Sequence, residues 1–178
     1  MTTHRSVGSR LPADANTQEK QRIFLDQILA GTTRLRDARA AKAEGWTRIT
    51  GGDGATVHVI NDRLMQDGKT LDPANPEVLI YRVDGSKWSL IGAMFQGGRD
   101  GAIDNKDGLA LKNHGHDGSA ADSAHVWFMP GDLAKAYGDR GDPPDELMGD
   151  MNWNNAAGNA FRMNQANTEA TKRAFAAL

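Results

Sequence analysis

The sequence predicts an α+β protein in which a long N-terminal helix packs on a mainly antiparallel sheet and C-terminal helices complete the cover. Three observations carry this. Apolar residues recur at helical spacing over residues 17–44, short apolar runs separated by turn dipeptides fill the middle of the chain, and weak helical spacing returns beyond Asp145. A length of 178 residues suits one core. Residues 1–16 read as a polar, flexible arm and residues 17–178 as a single α+β domain, with 145–178 as its helical C-terminal extension.

In the first helical stretch Ile23, Phe24, Ile28, Leu29, Leu35 and Ala38 fall at helical spacing, Asn16 and Glu19 stand like a capping box, and Gly45 is the stop. Gly31, in the middle, marks a kink or a break, so one long helix or two shorter ones are both compatible. Arg34, Arg36, Arg39 and Lys42 read as a solvated face.

After Trp46 the pattern turns to strands. Gly51-Gly52-Asp53-Gly54 is a turn, and in the strand 56–60 His58 shares a face with Thr56 and Ile60 while Val57 and Val59 point away. Asp72-Pro73 and Asn75-Pro76 punctuate a loop before a strand at 78–83, and Asp84-Gly85 is a hairpin signal leading to an antiparallel partner at 88–95. Residues 96–108 read as a surface loop, whose Asp100, Asp104 and Asp107 fail the spacing of a calcium loop and are solvated carboxylates. Residues 125–129 form a further strand. Asp132 then caps a short helix closed by Gly138, residues 139–144 are a loop, and Ala157, Phe161, Thr168, Thr171 and Phe175 mark the C-terminal helices, interrupted near 152–155.

Composition removes several function classes. Lys+Arg 21 against Asp+Glu 23, with no basic block, gives no reason to expect nucleic acid or an anionic membrane surface as partner. The absence of cysteine removes disulfides, thiolate ligands and a Cys nucleophile. No stretch of 18 consecutive apolar residues occurs and the N-terminus lacks an apolar leader region, so the protein reads as soluble: cytoplasmic as the chain stands, secreted if a leader has been removed. Gly-x-Ser-x-Gly, P-loop and dinucleotide fingerprints are missing.

What remains is histidine. Residues 112–129, KNHGHDGSAADSAHVWFM, hold three of the five: His114, His116 and His125. A His-x-His pair on a turn with a third His on the adjoining strand is suited to one divalent metal, zinc, copper or iron, and His58 is a fourth candidate. Glu77 has two readings, a carboxylate that binds or orients this site and a loop Glu capping the next strand. Asp117 and Asp122 share that ambiguity.

A resemblance adds to this reading. The helix end Lys42 to Trp46, His58 with Asn61, the run Asp72 to Tyr81 (DPANPEVLIY), Leu90 to Gly92, and His125-Val126-Trp127 resemble, in order and spacing, the motif blocks of a family of small, often secreted bacterial proteins of uncharacterised function. The likeness covers roughly residues 31–129. It implies that His58 and His125 belong to one site, a polar pocket over the sheet suited to a metal. This chain departs from the family in lacking the leader and in running on past the His-Val-Trp strand. The His-x-His pair also resembles cupin metal sites, but Asp117-Gly118-Ser119 stand where the cupin glutamate would follow.

The expected function is a metal-binding protein with a mononuclear His-rich site of His58, His114, His116, His125 and Glu77. It becomes a metal-dependent enzyme if an open coordination position takes water or substrate. The alternative is a non-catalytic module that holds a small molecule in a pocket walled by Tyr81, Trp88, Met94 and Trp127. A third reading gives the stretch from Asp145 a role in oligomerisation.

Overall fold

A computed structural model describes residues 14–51, 56–98, 103, 106–111, 122–138, 143–149 and 168–178, and in them the chain is α+β. Helix α1 (Ala15–Gly31) is capped by Asp14, whose Oδ1 accepts the Thr17 N–H at 2.7 Å. The capping box expected on Asn16 and Glu19 is therefore displaced. Asn16 already lies inside the helix, and Glu19 instead pairs with Arg22 at 2.7 Å, because the cap belongs to the last extended residue and that residue is Asp14.

The break expected near Gly31 has a packing cause. A Cβ built on Gly31 would lie 2.6 Å from Ala74 Cα, so the loop before the third strand presses its backbone onto the end of α1. Thr32 closes that end by returning its N–H (2.8 Å) and its hydroxyl (2.7 Å) to Ile28 O. A 3-10 turn (Thr33–Arg36) and α2 (Ala38–Ala43), capped by Asp37, follow. Gly31→Ala should therefore destabilise the protein by roughly 1–3 kcal/mol, although alanine is the better helix former by about 1 kcal/mol. Urea unfolding showing a stabilised variant would contradict this contact.

Strands β1 (Arg48–Gly51), β2 (Thr56–Ile60), β3 (Val78–Asp84), β4 (Lys87–Gly98) and β5 (Asp122–Trp127) form one antiparallel meander in sequence order. The Asp84-Gly85 hairpin stands as expected, with Gly85 at φ 56° in its turn. Two boundaries differ. β4 runs on through Gln96 to Gly98, which the sequence placed in a loop, and β5 starts at Asp122 and ends at Trp127, so that His125 lies inside the strand. Each polar end is held extended by the other, Gln96 opposite Ser123 and Gly98 opposite Asp122, across a register shift.

One sheet face is covered by the N-terminal helices. Phe24, Leu25 and Ile28 of α1 pack on Ala93, Phe95, Ala124 and Val126. Leu35, Ala41 and Trp46 pack on Val57, Val59, Leu79 and Tyr81. The opposite face carries Ile60, Val78, Ile80, Met94 and Trp127, beneath Met148. With both faces covered, β2 is buried along its whole length, so Thr56 and His58 on one side are as withdrawn from water as Val57 and Val59 on the other.

Beyond the sheet, α3 (Leu133–Ala136) starts at Asp132, α4 (Asp145–Met148) supplies the buried Met148, and α5 (Thr168–Ala176) completes the helical side. Phe175 of α5 is buried against Trp88 at 5.4 Å, and Lys42 Nζ donates to Phe175 O and Ala176 O at 3.1 and 2.9 Å. Lys42 is thus not part of a merely solvated face. It satisfies the last carbonyls of α5 and ties them to α2. No helix among the described residues is long and apolar enough to cross a membrane. The arm expected over 1–16 gives way to the cap and first turn of α1 at 14–16, and its residues 1–13, the turn at 52–54, Asp100, Asp104, His114, His116, Asp117, the interruption at 152–155, Ala157 and Phe161 lie outside the described residues.

Candidate functional site: two imidazoles on one sheet face

Strand alternation places His58 on the face away from α1. Its register row runs from Thr50 through His58, Ile80 and Gly92 to Trp127, and the next row runs from Ile60 through Val78 and Met94 to His125. His58 and His125 thus rise from the same side of β2 and β5, with β3 and β4 between them. Three interstrand steps of about 4.8 Å would separate these strands by about 14 Å in a flat sheet. The two ring centroids are 5.5 Å apart, tilted by 44°. The sheet must therefore curl toward this face, and the imidazoles lean across the hollow.

Gly92 permits that arrangement. A Cβ on it would lie 2.8 Å from Trp127 Cε3 and 3.1 Å from Val126 O, so the indole lies directly over the bare backbone of β4. The His125 ring stacks against this indole, 5.1 Å away and 20° from parallel. His58 and His125 are 4% and 5% exposed, both nearly withdrawn from water. A tryptophan shelf backs one of the two rings.

The separation suits shared coordination. A metal about 2.0–2.1 Å from a ring nitrogen sits about 3.2 Å from the ring centre, which puts two imidazoles on one tetrahedral metal about 5.2 Å apart. Among the described residues, however, no three His, Asp or Glu side chains gather closely enough to hold a metal. Glu77 does not join the pair in such a group. It is 4% exposed at the start of β3, and its carboxylate takes backbone N–H groups of Glu77 and Gln96, while Oε2 has no hydrogen-bond partner among the described residues. Burial, chiefly, holds its carboxyl at about 7, with Asp67 and Asp72 adding to the rise.

The four pocket candidates divide between the faces. Met94 and Trp127 belong to the cluster beside the imidazoles. Tyr81 and Trp88 sit on the helical side, where the Tyr81 hydroxyl donates to Leu35 O and the two rings meet edge to face at 5.8 Å. Asn61, which follows His58 in the motif, is a structural residue: its Oδ1 accepts from Arg63 and Leu64 N–H at 3.2 and 3.3 Å and so starts the 3-10 turn Leu64–Gln66.

Three residues that shape this face are not among the site candidates the sequence offers: Gly92, Thr56 and Arg82. Gly92 carried a legible signal, since a glycine inside an apolar strand marks close approach of another group. Alternation already places Thr56 beside His58, but its pairing with Arg82 carried no signal, because only the register sets them opposite each other. The fold and site together define the class, an antiparallel meander with paired imidazoles in its hollow. No family model, no curated protein and no solved structure matches the chain, so its function rests on the site.

Proposed function

We propose that this protein binds a divalent transition metal through His58 and His125. The observation that supports the reading is the 5.5 Å approach of two imidazoles from strands β2 and β5. Zinc, copper and iron are the metals for which neutral imidazole is a good ligand, and a chain without thiolates leaves nitrogen and oxygen donors only. His114 and His116, outside the described residues, are the further ligands that the sequence nominates, and the test includes them. With an open coordination position, a bound metal would supply a Lewis acid or a water of lowered pKa.

The test is metal content of untagged protein after incubation with zinc, copper or iron and removal of excess, together with the absorption spectrum of the cobalt form. About one equivalent is expected in the parent protein, with a tetrahedral cobalt spectrum. His58→Ala and His125→Ala should each lose both. The double variant His114→Ala/His116→Ala asks whether the remaining ligands come from that pair. A parent protein that retains no metal under any of these conditions would leave the two rings as core histidines and end the metal reading.

A further inference from the structure

The face that carries His58 also carries a cation, Arg82, that no carboxylate of the described residues pairs with. Arg82 on β3 stands directly across from Thr56 on β2, and strand alternation puts both on the same side as His58. Arg82 Nη1 donates to Leu147 O of α4 at 2.6 Å. Among the described residues its buried Nε has no partner, and neither has Thr56 Oγ1, in a residue only 2% exposed. Among the described residues no carboxylate pairs with this guanidinium.

Such an arrangement is unfavourable unless something completes it. A buried hydroxyl or N–H without a partner forfeits its hydration, and a charged donor forfeits more. Here two orphan donors face each other across one register step, where facing side chains begin about 5 Å apart. Natural structures leave few buried polar atoms unsatisfied, and a ligand or an ordered water is the usual explanation of those that remain.

We propose that Arg82 and Thr56 form an oxyanion subsite that takes the carboxylate of a small organic acid. Arg82 Nε–H would donate to one oxygen and Thr56 O–H to the other. Two donors and one positive charge match the two acceptors and single negative charge of a carboxylate, whereas a phosphate dianion would remain short of both. His58 lies two residues along β2, about 7 Å away on the same face. The body of the acid therefore extends toward the imidazoles. That the acid is what a metal there acts on rests on the metal reading, whereas the subsite itself does not.

The experiment uses the full chain, stripped of metal by a chelator and titrated with sodium acetate, sodium chloride and inorganic phosphate at matched ionic strength. Melting temperature and the amide and Arg82 Nε–H NMR signals are followed. Acetate should raise the melting temperature and shift the Thr56 and Arg82 signals saturably, and chloride should not. Thr56→Val should fold at least as well as the parent, since it exchanges an unpartnered hydroxyl for a methyl of the same shape, yet bind acetate roughly tenfold more weakly. Arg82→Gln should abolish the response. An acetate response no larger than that of chloride, or equal in Thr56→Val and the parent, would mean that water satisfies these donors and would overturn the proposal. Tighter binding of phosphate than of acetate would overturn the carboxylate assignment. Metal content measured on parallel samples separates the two readings: acetate binding without metal uptake keeps the subsite and removes the metal, and metal uptake without an acetate response does the reverse.

Discussion

Replacing Glu77 by glutamine should stabilise the metal-free protein by roughly 2–3 kcal/mol at pH 8 and leave its stability nearly unchanged below about pH 4.5. The Glu77 carboxyl is held at about 7 against an ordinary 4.5, first because burial disfavours the charged carboxylate. Between those two values the folded chain binds a proton that the unfolded chain has released. Stability therefore falls as pH rises through this window, and the loss is complete above about 7. The difference corresponds to about 3 kcal/mol. Glutamine keeps one acceptor oxygen for the backbone N–H groups and carries no charge at any pH, but its amide N–H takes the place of the unpartnered Oε2 and recovers somewhat less than the whole. Urea unfolding of parent and variant from pH 4 to 8, in the presence of chelator, reads the effect directly. A difference that does not change with pH would show that burial is not what governs this carboxyl.

The same residue shows which parts of this protein can be read from sequence. Local signals were legible: the Asp84-Gly85 turn, the Gly45 stop, the helical face of Phe24 and Ile28, and the α+β class that follows from them. Features set by a distant chain segment were not. The end of α1 at Gly31 depends on the Ala74 backbone, the true extent of β5 depends on Gln96 and Gly98, and Lys42 meets the carbonyls of α5 from far along the sequence. At the candidate site the residue types were visible, but their grouping was not. His58 and His125 come together only because the sheet curls, while Tyr81 and Trp88 fall on the other face through simple alternation from Ile80 and through pairing with β4. Glu77 looked like a partner of the histidines because both residue types suit a metal. Its surroundings instead make it a carboxyl kept near neutrality by burial.

Trp127→Ala should cost roughly 3–5 kcal/mol, the range for removing a large aromatic side chain from a packed interior. Trp127 is 1% exposed, and its loss would empty the space above Gly92 and remove the surface against which the His125 ring stacks. The companion substitution makes the prediction sharper. Gly92→Ala alone should cost roughly 1–3 kcal/mol, because its new Cβ would stand 2.8 Å from Trp127 Cε3 and would force the ring outward. In the Trp127→Ala background that collision no longer exists, and the added methyl occupies part of the void. The second change should then cost little, or restore some stability. The coupling between the two positions, read from urea unfolding of the four proteins of the cycle, should exceed about 1 kcal/mol, where independent sites add to within about 0.5 kcal/mol. Additive costs would mean that the indole does not rest on the β4 backbone and that the His125 ring is positioned by other contacts. A strong coupling, accompanied in Gly92→Ala by weaker metal uptake, would tie this glycine of β4 to the position of His125.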